Sequence, residues 1–169
     1  MRCRFIAVMV TLLSLISSIG FAAIPRSELA LGGVTLYTRF ANVRQIYGEP
    51  TRTSYKDVKI WGGTSRFYTQ YYGNGSFSAT ATNRDGILSV VTNANNGIAT
   101  PAGIKVGMSA RQLLMAYGAQ DSKWADQDGN TVLDYHEKKK GVGTRDALEF
   151  TISDGKIVKI RLVAGILSI

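Results

Sequence analysis

An internal repeat constrains this chain more than any other feature. GGVTLYTRFANVRQIYGEP (32–50) aligns without a gap on AGIKVGMSARQLLMAYGAQ (102–120). Gly33 falls on Gly103, Val34 on Ile104, Leu36 on Val106, Val43 on Leu113, Tyr47 on Tyr117 and Gly48 on Gly118. A second block, TNRDGILSVV (82–91), falls on TISDGKIVKI (151–160), with Asp85-Gly86 over Asp154-Gly155. Two separate blocks at nearly one offset describe one supersecondary unit used twice. The units are assigned to residues 23–98 and 99–169, and the turn-rich NANNGIATPA marks the joint.

Each unit has the same local grammar. A short apolar lead-in (Val34–Leu36; Ile104–Val106) precedes a short helix. Ser109 and Gln112 form an S-x-x-Q capping box, in which the serine hydroxyl accepts from the Gln112 amide and the glutamine side chain answers back. Phe40, Val43 and Tyr47 keep helical spacing, and Ala110, Leu113, Leu114 and Tyr117 repeat the stripe. Gly48 and Gly118 then sit where a helix end needs positive φ, and Pro50 prevents a restart. Strands are expected over 66–72, 76–82 and 87–92, then over 131–137, 147–152 and 156–163. Asn74-Gly75 and both Asp-Gly pairs supply hairpin turn chemistry. The expected class is therefore α+β: two tandem repeats, each a short helix packed on a three-stranded antiparallel meander. Neither unit buries enough surface alone, so the two should pack together. Trp61 and Trp124, each following its helix, are expected to lid the core.

Residues 1–22 read as a secretory signal peptide. Arg2 and Arg4 precede an apolar run, FIAVMVTLLSLI (5–16), and Gly20 and Ala22 are the small residues a signal peptidase needs. The run is shorter than the roughly 18–20 apolar residues that a spanning helix requires. The only cysteine, Cys3, leaves with this leader. The mature chain then has no disulfides and no thiolate chemistry. Removing two arginines lowers the net charge from +8 to +6. A modest positive balance on an exported protein fits a protein partner in the cell envelope or outside the cell, or an anionic envelope polymer. Export from the cytoplasm leaves nucleic acid out, and no integral membrane segment is expected after signal cleavage.

Few residues carry chemistry. The only histidine, His136, lies in TVLDYHE, where strand alternation puts Asp134 and His136 on one face and Leu133 and Tyr135 on the other. Neighbouring strands can add Glu149 to that polar face, so a hydrolase or metal-dependent enzyme would have to be centred on His136. ADQDGNTVLD (125–134) fails as a calcium loop both with Gly129 at position 6 and with Asp126 at position 1, and reads as a turn. No cofactor motif is present: GVGT (141–144) lacks the strand-turn-helix setting of a phosphate loop.

Surface contacts offer more. In RFYTQYY (66–72), Arg66, Tyr68, Gln70 and Tyr72 share a face, and the arginine and glutamine mark it as the solvent side. Tyr68 and Tyr72 beside Arg66 would make a protein-binding surface. The loop EKKKGVGTRD (137–146) exceeds its counterpart GNGS in length and positive charge, which adds Lys138, Lys139 and Lys140 to the candidate partner-binding residues.

VGMS (106–109) before a helix, YGEP (47–50) after one, and hairpins closing on Asp-Gly carry a family likeness. The chain resembles the BamE (SmpA/OmlA) superfamily. Its two-copy form is similar to the tandem repeats of β-lactamase-inhibitory proteins and of small exported bacterial proteins. The resemblance implies helices packed on antiparallel sheet and non-enzymatic work by surface contacts. The functional expectation is an exported, non-catalytic protein-binding or cell-envelope scaffold protein. An exported enzyme centred on His136 and a binder of anionic envelope polymers stay open as alternatives.

Overall fold

The computed structural model describes residues 23–60, 63–138 and 145–167. The expected signal peptide, Trp61, Lys139 and Lys140 lie outside the described residues. A small hairpin, β1 (Ala30–Leu31) and β2 (Val34–Thr35), leads into α1 (Phe40–Tyr47). Four strands follow: β3 (Arg52–Ile60), β4 (Gly63–Tyr72), β5 (Phe77–Thr82) and β6 (Gly86–Thr92). The second half supplies α2 (Ala110–Tyr117), β7 (Ser122–Ala125), β8 (Thr131–His136), β9 (Ala147–Ser153) and β10 (Lys156–Val163).

This overturns the expected α+β class of two helix-on-three-strand units. The protein is mostly β, with one eight-stranded antiparallel sheet in the order β3-β4-β5-β6-β10-β9-β8-β7. Each half has a strand more than its sequence suggests, and the halves do not pack as separate sheets. They join through β6 and β10, where Thr92 pairs with Ile160 and Val90 with Leu162. The unexpected strands, β3 and β7, are the two edges of the sheet. All four residues of β7 are exposed, and no described side chain of β3 is buried. Period-2 hydrophobicity appears only where one face is covered, so these strands carry no such signal.

One sheet face takes the apolar side chains. Phe77, Ala79 and Ala81 of β5 are buried there, while Ser78, Thr80 and Thr82 point away. Leu148, Phe150, Ile160 and Leu162 continue the layer across the second half and join Leu31, Val34, Val43 and Leu113 in one core. The helices close that core with equivalent aromatic clusters. Tyr47 packs on Phe77 and Tyr72 at 4.5 and 5.9 Å, and Tyr117 packs on Tyr135 and Phe150 at 5.5 and 5.9 Å. Both helices end on a glycine at φ 76°, with ψ −162° at Gly48 and −154° at Gly118. That region lies beyond the left-handed helical basin and is reached essentially by glycine alone.

The lead-in segments are tied to the last strand of their own half by matching bonds. The Tyr37 N–H donates to the Ile87 carbonyl and Ile87 N–H to the Thr38 carbonyl. Seventy residues on, Gly107 and Ile157 repeat the first bond, and Ile157 and Met108 the second.

Candidate functional site

Two surfaces stand out, one at each end of the sheet. The first is the β3–β4 hairpin. Residues 67–72 of β4 pair with β5, whereas 63–66 pair only with β3, so the hairpin tip overhangs the sheet. This splits the face shared by Arg66, Tyr68, Gln70 and Tyr72. At its inner end Tyr72 is buried, and its hydroxyl donates to the buried Gln70 Oε1 at 2.8 Å. Tyr72 is therefore a core residue and not a partner-binding one. Gln70 misleads as a solvent marker because the tyrosine satisfies it in the interior.

At the outer end the face emerges from cover. Arg66 donates to both Asp57 carboxylate oxygens, at 2.7 and 2.8 Å, and its guanidinium lies 4.5 Å from the centre of the Tyr55 ring. Tyr55 and Tyr68 are cross-strand partners with ring centres 6.5 Å apart. Hydrogen bonds from Arg66 hold the Asp57 carboxyl below its ordinary range. Tyr55 is 65% exposed and was not singled out by sequence reasoning. Its signal was available only once β3 was recognised as a strand. Lys138 is exposed, but its backbone N–H is bonded to the Ile24 carbonyl, which fixes the base of the basic loop.

The second surface lies on the opposite, uncovered face of the sheet, over β7, β8, β9 and β10. Cross-strand register puts Ser122 beside Asp134, Asp134 beside Glu149, and Glu149 beside Arg161. The expected polar face of Asp134, His136 and Glu149 is thus assembled. A pocket of about 490 Å³ opens over it, its lining including the apolar side chains of Trp124, Val132 and Leu167. His136 Nε2 is 2.9 Å from Asp134 Oδ2, and Arg161 Nη1 is 3.1 Å from Glu149 Oε2. Burial pushes the Asp134 carboxyl above its ordinary range, and the neighbouring Glu149 adds to this while His136 opposes it.

The wiring does not suit nucleophilic catalysis. Ser122 Oγ donates to Asp134 Oδ2 at 3.2 Å, so the carboxylate sits between serine and histidine. A histidine in that order cannot take the serine proton. Among the described residues, no group of three or more His, Cys, Asp or Glu is arranged to hold a metal ion. Asp126 accepts the Asp128 and Asn130 N–H groups, which makes ADQDGN the turn between β7 and β8. Trp124 is not a core lid: it is 42% exposed at the pocket wall. Lys159 and Arg161 also escaped the sequence reading, although the alternation of KIVKIRLV marks them as one polar face.

Fold and surfaces together define a class: a mostly β protein of two fused halves, with one sheet face covered and the other open. No family model, curated protein or solved structure matches the chain.

Proposed function

We propose that the chain is an exported, non-catalytic protein-binding component of the cell envelope, and that its partner is an extended acidic segment that adds to the outer edge of β3. The carrying observation is β3 itself. It is a nine-residue terminal strand, and no described strand pairs with its outer side. Such an edge presents unpaired N–H and C=O groups that an extended chain can complete. Arg52, Lys56 and Lys59 make the edge basic, because Asp57 is already paired with Arg66. Lysines on an edge oppose pairing with a second copy of the same strand and favour an acidic one. Tyr55 and Tyr68 add aromatic contact area beside it. The secretory leader supports export, and the BamE-like pattern supports work by contact instead of catalysis. Among the described residues no helix is long and apolar enough to cross a membrane.

Amide exchange on the full chain, with extended acidic and basic peptides as probes, tests the reading. Acidic peptides should protect β3 amides, and binding should weaken with salt. A Lys56→Glu plus Lys59→Glu variant should lose it, and Tyr55→Ala plus Tyr68→Ala should weaken it. Equal binding of basic peptides, or protection located elsewhere, would sink the proposal.

A further inference from the structure

The β3 edge carries more information than its net charge, because its side chains alternate between the two faces of the sheet. Cross-strand pairing assigns them. Arg52 pairs with Tyr71, Ser54 with Thr69 and Lys56 with Phe67. Tyr71 and Thr69 pair in turn with Ser78 and Thr80, which point away from the core, so this set lies on the open face. Tyr55 pairs with Tyr68 and Asp57 with Arg66, on the face that turns Gln70 and Tyr72 into the core.

The two faces ask for different side chains. On the open face Arg52 and Lys56 form no ion pair among the described residues. The Arg52 guanidinium lies 4.1 Å from the centre of the Tyr71 ring, which holds it on this face without neutralising it. Along extended chain the two cations are about 13 Å apart. A strand laid beside β3 meets both only if its own acids share one face. The Tyr55 face rejects acids and offers ring area instead. There the Asp57 carboxylate is already matched by Arg66, and an acid set opposite it would meet a like charge. Tyr55 is 65% exposed, and residues 63–66 of β4 have only β3 beside them, so β5 does not extend along this end. An aromatic or branched apolar side chain of an added strand can lie against Tyr55. Lys59, near the hairpin tip, is the one further charge that β3 places on this face.

We infer that the segment received by β3 is an amphipathic strand in which acidic residues alternate with aromatic or apolar ones, its acids over Arg52 and Lys56 and its apolar side chains against Tyr55. The inference rests on strand addition at β3 and specifies its register. Sliding the segment by one residue would carry its acids to the Tyr55 face and its apolar side chains to the cations. That dependence separates recognition of a sequence from attraction to any polyanion.

Two peptides as long as β3 and identical in composition decide the matter. One alternates glutamate with phenylalanine and valine; the other gathers its glutamates at one end. Fluorescence anisotropy of the labelled peptides reads affinity, and amide exchange on the full chain reads where they bind. The alternating peptide should bind about tenfold more tightly, as expected from two charge pairs and an aromatic contact formed together. Replacing its glutamates by glutamine should weaken binding to the wild type, and should cost much less against Arg52→Ser plus Lys56→Ser. Both substituted side chains are exposed, and thermal melts confirm that the variant folds. Equal affinity of the two peptides, with β3 protected by both, overturns the alternating-strand inference and leaves acidic strand addition standing. A glutamine penalty that the double substitution does not change overturns it as well, because the acids then lie elsewhere. Failure of both peptides to protect β3 overturns strand addition itself, and this inference with it.

Discussion

The two halves use one backbone and load it differently. Just after each apolar lead-in the chain needs positive φ, and the first half has Tyr37 (63°) where the second has Gly107 (94°). A tyrosine there is strained, and such strain persists when surrounding contacts determine it. The tyrosine gains a long-range contact: its hydroxyl donates to Asp146 Oδ1 at 2.7 Å, and the same oxygen accepts the Gly165 N–H at 2.9 Å. Burial and that carboxylate raise the Tyr37 pKa, so the phenol stays a donor throughout the physiological range. Glycine at 107 has no such task. The comparison teaches that the repeat fixes backbone conformation, while side chains differ where one half must grip the other.

The Asp-Gly turns offer the sharpest way to break the comparison. Gly86 and Gly155 have nearly the same φ, 71° and 73°. A Cβ at Gly86 would lie 2.6 Å from the Thr38 carbonyl oxygen and 2.7 Å from that of Tyr37, whereas one at Gly155 would meet nothing within 4 Å. Gly155→Ala should therefore cost only the positive-φ penalty, about 1–2 kcal/mol. Gly86→Ala adds backbone overpacking of about 1–3 kcal/mol, for a total of roughly 2–5 kcal/mol. Urea unfolding of both variants measures the difference; equal losses would mean that the lead-in of the first half yields easily.

That contrast was hidden in the sequence, although the repeat itself was plain. Buried strands such as β5 and β9 alternate visibly because one face meets the core. The edge strands β3 and β7 do not, and this turned an eight-stranded sheet into two imagined three-stranded meanders. The site suffered from the same blindness. Parity correctly grouped Arg66, Tyr68, Gln70 and Tyr72, but burial changes along that face as the hairpin leaves the sheet. Polar residues alone could not show where cover ends. By contrast, Asp134, His136 and Glu149 were legible, because alternation within TVLDYHE and a neighbouring carboxylate were enough. Trp124 was misread because nothing local distinguishes a lid over the core from a wall on the open face.

Helix starts give the next largest effect. Ser109 caps α2 with a full capping box: its Oγ accepts the Gln112 N–H at 3.3 Å, and Gln112 Oε1 accepts the Ser109 N–H at 2.9 Å. Arg39, at the matching place before α1, makes no side-chain cap. Ser109→Ala should cost about 1 kcal/mol, and Arg39→Ser should gain a comparable or smaller amount. Thermal melts of both variants check the sign. If Arg39→Ser gains nothing, α1 is held by its packing on the sheet and not by its end.

The smallest effect should come from the ion pairs, where the halves differ in exposure. The Arg66–Asp57 side chains are 49% and 42% exposed, against 34% and 13% for Arg161–Glu149. Water screens the first pair more strongly, and exposed pairs contribute little. Its sign is nevertheless fixed. Asp57 has a folded pKa below its ordinary 3.8, so its contribution is fully present above that value. The contribution disappears as pH falls through the lower, folded value. Asp57→Asn should therefore lower the melting temperature slightly at neutral pH, with the gap to wild type closing in strong acid and in high salt. Glu149→Gln should open a wider gap at neutral pH that salt reduces less, because Glu149 itself is largely shielded from the solvent. If the Asp57→Asn gap instead widens on acidification, the hairpin contact is not the source of the depressed carboxyl. The two ends of the sheet would then differ in more than exposure.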